Sequence, residues 1–497
     1  MTRRISLTAA LIVLTALAAG AQSRVPFDTF FVDKALRLDL CQTGDAQGET
    51  VTLDRICEEP VWPESPAGLI EPFTYGRYAV RLYDVASNTL IYSRGLDTPF
   101  AEYKTTTPAL DGIERVFERS VRVPRPKRPA LFVFEARDKR HLLHPLFSLT
   151  VDPSDDHIIR ESPSAGDEIY EALRSGGPHD HVDLVFLAEG YAAADGDKFK
   201  ADVDRFSAYL FTVEPYKSRK DRFNVTGVFR PSPEAGVDEP RRHVFRKTAL
   251  DGSFNAFDLE RYLLIMGDHR MHEMAAQAPY DAIVVLVNSP RYGGGSIAFD
   301  YCVTTVDNPR SLQVFVHELG HSFAGLADEY YASAVTYNDF YPKGVEPLEP
   351  NITALLDPPD IKWKELLSPG IAVPTEYGKD RLDALEAERR ANAAARAKAV
   401  REAGAAGATE GEIRRIEKKY EDVDRALAAK IEAVRKQYAG LEDKVGAFEG
   451  AGYSSKGLYR PQMYCVMISS PTGEFCLVCR RAILDMIDFY SGAAQGR

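Results

Sequence analysis

The chain has 497 residues, a formal net charge of −12 and a hydrophobic fraction of 45%. It is too long for one ordinary domain and apolar enough to bury sizeable cores, so two or three domains are expected. Its acidic balance argues against nucleic acids and anionic membranes as partners.

Residues 1–21 open with Arg3 and Arg4, continue through an apolar run from Leu7 to Ala18, and end on Ala19-Gly20-Ala21. A basic start, a short apolar stretch and a small-residue cleavage site define a secretory signal peptide. The run is too short for a comfortable membrane span; the alternative use is an N-terminal anchor. No cysteine stands directly after the cleavage site, where the residue is Gln22, so a lipid anchor is not indicated. No other segment is long and apolar enough to cross a bilayer. The protein is expected to be exported, secreted or periplasmic, with no stable membrane insertion after cleavage.

Residues 24–150, within an N-terminal domain placed at 22–153, alternate apolar and polar positions. Tyr78 to Tyr83 and Thr89 to Tyr92 flank Ser87-Asn88, a hairpin signal, and Val116 to Val123 and Leu131 to Phe134 add strands. An N-terminal β-sandwich is expected, used either to dock a substrate or to brace its neighbour. A linker is placed at Asp152 to Asp156, ahead of a second domain over 154–497. That domain begins with a buried strand, Val182 to Leu187. A helix over Lys198 to Phe211 follows, with Phe199, Val203, Phe206 and Leu210 on one face. Further strands lie at Phe223 to Phe229 and Ala282 to Val287. Tyr292-Gly293-Gly294-Gly295-Ser296 is either an edge strand able to hold an extended peptide or an ordinary loop.

The most informative segment is next: Val316-His317-Glu318-Leu319-Gly320-His321, continuing through Gly325 to Asp328, Glu329, Tyr330 and Tyr331. On a helix, residues four apart share a face, with Cβ atoms about 5–6 Å apart. His317 and His321 can therefore bind one zinc ion, and Glu318 can reach a water on it. A catalytic zinc has three protein ligands and an open position for water. In His-Glu-x-x-His-x-x-Gly-x-x-His the third ligand stands six residues past the second His, which here is Ala327. Asp328, one residue later, keeps the same three-residue spacing from a glycine, Gly325. A helix broken at Gly325 would return Asp328 to the metal; Glu329 is the rival ligand. Chance matches to His-Glu-x-x-His occur, but the apolar lead-in of Leu312, Val314, Phe315 and Val316 is what a buried helix needs.

Residues 378–445 are rich in Ala, Glu, Lys and Arg, with Ile413, Ile416, Tyr420, Val423, Leu427, Val434 and Tyr438 at heptad-like spacing and a break at Gly404 to Gly411. An inserted antiparallel helical hairpin is expected, with a coiled-coil character. Its use is substrate recognition, dimerisation or simple elaboration. Met467 is a candidate for a turn beneath the metal, with Met463 as rival. Tyr330, Tyr331, Tyr459 and Tyr464 are all candidate donors to a developing oxyanion. Cys41 and Cys57 suggest one disulfide. Cys302, Cys465, Cys476 and Cys479 lie further on; Cys476-x-x-Cys479 fits redox chemistry or structural zinc, but export favours one or two disulfides.

His317 to Tyr331, read as HELGHSFAGLADEYY, resembles the immunoglobulin A peptidase family of zinc metallopeptidases. Phe211 to Tyr216, Tyr292 to Ser296, Val303 to Asn308, Tyr459-Arg460-Pro461 and the segment from Cys465 to Cys479 agree. The resemblance implies an α+β, metzincin-like zinc peptidase domain behind a β-rich N-terminal domain. It also implies one catalytic Zn2+, with the two histidines as ligands, Glu318 as base and a protein or peptide substrate. It does not carry cleavage of immunoglobulin A with it. The alternative is a secreted binding protein with a retained but weakly active metal site; an intact Glu318 favours the enzyme. The sequence leaves the oligomeric state open.

Overall fold

The computed structural model describes residues 25–160, 166–332, 335, 337–468 and 473–493. The expected signal, residues 1–21, lies outside the described residues. The first half is built of seven antiparallel strands. Strands β1 (Phe31–Gly44), β2 (Glu49–Glu59) and β5 (Arg115–Pro126) form one sheet in the order β2-β1-β5. Strands β3 (Tyr78–Asp84), β4 (Thr89–Leu96), β6 (Ala130–Arg137) and β7 (Leu143–Val151) form the other, in the order β4-β3-β6-β7. Leu36, Leu38, Tyr78, Val80, Leu82, Phe132 and Phe134 alternate inward and share one core. Asn88, at a left-handed φ of 53°, closes the β3–β4 hairpin. Ile158 joins the same core, and Ile159 pairs with Cys57.

The expected disulfides are not formed: all six cysteines are free. In the β1–β2 ladder Cys41 faces Thr52, whereas Cys57 faces Arg37. Four positions of strand separate the two thiols, about 13 Å, well beyond the reach of a disulfide.

The second half is a six-stranded mixed sheet. It comprises β8 (Glu168–Leu173), β9 (Val182–Glu189), β10 (Phe223–Phe229), β11 (Ala282–Val287), β12 (Gly294–Ile297) and β13 (Tyr301–Thr305), in the order β12-β13-β11-β9-β10-β8. The pairs among β10, β9, β11 and β13 are parallel; β8 and β12 run antiparallel at the two ends. Buried parallel strands need apolar residues on both faces, and every residue of β9 and β11 is buried. Helix α1 (Gly196–Leu210) lays Phe199, Val203, Phe206 and Leu210 on the sheet. A short helix, α2, spans Asp268–Ala275, and α3 spans Ser311–Ala324. Phe315 of α3 sits between the rings of Phe186 and Phe206, at 5.8 and 5.5 Å, which fixes the roll of the helix about its axis.

The outer face of β1 and β5 is charged yet buried, because the second half covers it. Arg37 pairs with Asp39 at 2.8 Å. Arg119 pairs with Asp300, which also meets His272 Nε2 at 2.9 Å. Asp268 Oδ1 accepts the Ser120 N–H at 2.6 Å. Burial alone would raise the Asp300 carboxyl; Arg119 and His272 overcome it and hold it below its ordinary range. Removing one partner of such a pair costs about 3–5 kcal/mol.

Two long helices, α4 (Lys379–Ala405) and α5 (Glu410–Gln437), stand between the site helix and the C-terminal segments. Thr409 and Glu412 form a capping box that starts α5. Arg389 pairs with Asp424, Arg396 with Glu417, and Arg435 with Glu386, so the helices run antiparallel. Leu385, Leu427, Ile431 and Val434 pack near their base. There Asp383 accepts the Tyr331 hydroxyl at 2.6 Å. The hairpin of β14 (Phe448–Ala451) and β15 (Ser454–Arg460) and a final helix, α6 (Leu477–Tyr490), complete the described chain. No helix among the described residues is long and apolar enough to cross a membrane.

Candidate active site

Helix α3 carries His317 and His321 one turn apart and ends at Gly325, which takes a left-handed φ of 60°. The Gly325 N–H reaches back to the His321 carbonyl (2.9 Å), the bond of an αL cap, and the Leu326 N–H to that of Gly320 (3.2 Å). The chain then doubles back. Asn351 clamps it by accepting the Ala327 N–H at 2.7 Å and donating to the Ala327 carbonyl at 2.9 Å. The Asp328 carbonyl accepts from Gly452, and the Glu329 N–H donates to Met467 O. Pinned on both sides, Asp328 turns its carboxylate to the histidines.

Asp328 Oδ1 lies 3.0 Å from His317 Nε2 and 3.4 Å from His321 Nε2. The two Nε2 atoms are 3.2 Å apart. Ligand bonds of 2.0–2.1 Å in a tetrahedron give edges of about 3.3 Å. The ring orientations agree. His317 Nδ1–H donates to Val466 O (3.0 Å) and His321 Nδ1–H to Leu326 O (2.5 Å), which leaves both Nε2 lone pairs facing Asp328. Asp328 Oδ1 is buried with no hydrogen-bond donor. Three electron-rich atoms converging on one point call for a cation, and the set fits zinc. Without one, a proton takes that place. Burial disfavours the His317 imidazolium, but the hydrogen bond and charge of Asp328 outweigh burial and raise the pKa to about 9. Burial raises the Asp328 carboxyl in turn, yet the two imidazoles drive it far below its ordinary range.

The rival ligand, Glu329, points the other way. It is fully buried, and its Oε1 accepts from Asn351 Nδ2 at 3.0 Å. Glu318 faces the cleft, where Ser296 Oγ donates to its Oε2 at 2.8 Å. The glycine-rich segment is edge strand β12, and close approach explains its composition. A Cβ on Gly294 would lie 2.4 Å from Val314 Cγ1, and one on Gly295 2.3 Å from the Leu263 carbonyl oxygen. That edge is partly occupied, since the Leu263 N–H donates to Gly294 O.

Met467, not Met463, underlies the site. Its Sδ would be 3.0 Å from a Cβ on Gly320, whereas Met463 packs with Tyr377 and Phe448. Of the four tyrosines singled out in the sequence, only Tyr330 lines the cleft, its ring 6.4 Å from that of His317 and stacked. Tyr453 went unnoticed in the sequence. Its hydroxyl donates to Asp328 Oδ2 at 2.5 Å, from a residue at a φ of 61°. The sequence marks Ser296 only as part of a glycine-rich segment, edge strand or loop. Arg77 and Glu102, from the first half, also line the cleft. Arg77 bridges Asp97 and Glu349 (2.7 and 2.8 Å), and burial lifts Glu102 to about 7 against hydrogen bonds from Tyr337 and Tyr262.

An α+β fold whose cleft gathers two histidines of a His-Glu-x-x-His helix, a converging carboxylate and a free glutamate has the build of a metal-dependent peptidase. The family comparison is more particular. Residues 171–487 match the family model described as IgA Peptidase M64, and residues 26–148 match that described as Peptidase M64 N-terminus. The chain belongs to the IgA peptidase M64 family and is a peptidase acting on protein substrates. No curated protein matches it.

Proposed function

We propose that this chain is an exported zinc-dependent endopeptidase in which His317, His321 and Asp328 hold one ion and Glu318 is the general base. The convergence of the two Nε2 atoms and Asp328 Oδ1 within 3.0–3.4 Å carries the proposal. A bound zinc ion supplies a Lewis acid for the scissile carbonyl and lowers the pKa of a water toward about 7. Glu318, held at Oε2 by Ser296, keeps its other oxygen to take the water's proton and pass it to the leaving amine. Tyr330, beside His317, is the donor for the developing oxyanion. The substrate is an extended stretch of protein entering a cleft walled by both halves; family kinship transfers no particular substrate.

The organisation proposed with it is a signal over 1–21, a β-sandwich over 22–153, a metzincin-like catalytic domain over 154–497 and a hairpin insertion over 378–445. The test is hydrolysis of an unstructured protein by Glu318→Gln, beside wild type with and without chelator. A loss of about 10²–10⁴-fold is expected, with the zinc retained. A variant as active as wild type rejects the mechanism and favours a binding role.

A further inference from the structure

Behind the cleft, four side chains converge that the proposed catalysis does not use. Glu329, Cys465, Cys476 and Cys479 place one ligand atom each within 4.8 Å of all the others. None is more than 4% exposed. Cys465 Sγ and Cys479 Sγ are 3.7 Å apart, and Glu329 Oε1 lies 3.2 Å from Cys479 Sγ and 3.7 Å from Cys476 Sγ. A zinc tetrahedron with Zn–S of 2.3 Å and Zn–O of 2.0 Å has S–S edges of about 3.8 Å and S–O edges of about 3.5 Å. The observed separations match those edges. They do not match a disulfide, whose sulfurs lie at about 2.05 Å and whose formation would leave a thiol and a buried carboxylate behind.

We infer that these four residues bind a second zinc ion in a closed, structural site. Three further observations support it. First, Glu329 is fully buried, its Oε2 has no hydrogen-bond partner, and among the described residues no basic side chain stands within ion-pair distance of it, Arg460 acting only from farther off. A buried carboxylate without a cation is costly. The buried Asp268, His272 and Asp300 differ, because Arg119 already serves both carboxylates. Second, two of the sulfurs accept backbone N–H groups, an arrangement that suits metal-bound thiolates. Cys465 Sγ accepts the Cys476 N–H at 3.3 Å, and Cys476 Sγ, at the N-cap of α6, accepts the Cys479 N–H at 3.4 Å. The positive end of the 14-residue α6 favours negative charge there. Third, no ligand is open to solvent, so a four-coordinate ion leaves no place for water, as in structural sites.

The site would tie together three separate segments: the irregular stretch that doubles back after α3, the turn at 465–467 and the start of α6. Val466 holds His317 through its carbonyl, and Met467 holds the Glu329 N–H. The ion thus staples the floor of the cleft.

The test is metal content of the full mature chain by mass spectrometry after dialysis against metal-free buffer. Wild type should carry two zinc ions per chain and H317A/H321A one. Cobalt loaded into H317A/H321A should give thiolate-to-cobalt absorption in the near ultraviolet, and C476S/C479S should lose that band and one ion. If C476S/C479S does not fold, the histidine variant alone decides. A metal-free H317A/H321A, or a Cys465–Cys479 disulfide found by non-reducing peptide mapping, overturns the inference. A single ion in wild type that H317A/H321A retains upholds this site and rejects the catalytic one, so the two proposals fail separately.

Discussion

Gly294→Ala probes the geometry of the cleft while leaving every candidate ligand and the candidate base unsubstituted. The added Cβ would lie 2.4 Å from Val314 Cγ1, 3.2 Å from Val303 O and 3.3 Å from Glu318 Cγ. Carbon atoms rest at about 3.5–4.0 Å, so the overlap with Val314 exceeds about 1 Å. A valine on a helix is confined largely to one rotamer and cannot swing aside. Helix α3 is held by Phe315 between two rings, so edge strand β12 must yield. A shift of about 1 Å carries Ser296 out of hydrogen-bond range of Glu318, from its present 2.8 Å. Misplacement on that scale costs about 10²-fold in rate, and overpacking about 1–3 kcal/mol in stability. The assay is kcat/KM on an unstructured protein, with zinc content and urea denaturation alongside. Ser296→Ala, which removes the hydrogen bond but leaves the strand in place, should lose about tenfold. Gly294→Ala cleaving at the wild-type rate would refute the claim that this contact positions the base.

Zinc uptake at the histidine site of protein whose cysteine site is already filled should release, at pH 7.5, about one proton from His317, whose metal-free pKa is about 9. Calorimetry in two buffers of different ionisation enthalpy measures it; a release of zero would contradict the shared Asp328–His317 proton. The sign follows from the raised pKa. Proton binding at His317 stabilises the metal-free fold below its ordinary value of about 6.5 and is lost as pH rises through about 9. Apparent zinc affinity should therefore climb with pH up to about 9. Tyr453→Phe removes the donor to Asp328 Oδ2 and should weaken zinc binding about 10–100-fold with the fold intact. Unchanged affinity in a competition titration with a chromogenic chelator would assign that hydroxyl a merely structural role.

Local chemistry marked much of this site before any tertiary contact was known. Four-residue spacing puts His317 and His321 on one helix face, and Gly325 breaks the helix because a left-handed φ suits a residue without a Cβ. That break makes Asp328 a candidate third ligand, with Glu329 its rival. Period-two and period-3.6 patterns likewise marked the strands around Ser87-Asn88 and the apolar face of α1. The cysteines show where such inference ends. Export argued for disulfides, but pairing depends on distance, and the ladder register separates Cys41 from Cys57 while folding brings Cys465, Cys476 and Cys479 to Glu329.

The sequence by itself determined the elements and the reactive pair, because periodicity, capping and helix spacing act over a few residues. Only the tertiary structure decided which carboxylate meets the histidines, which tyrosine braces it and which strand seats the base. Asp328 and Glu329 are adjacent in the chain yet face opposite sides of it, and Tyr453 and Ser296 reach the site from segments far away in sequence. Such contacts are set by chain packing, which no local pattern encodes.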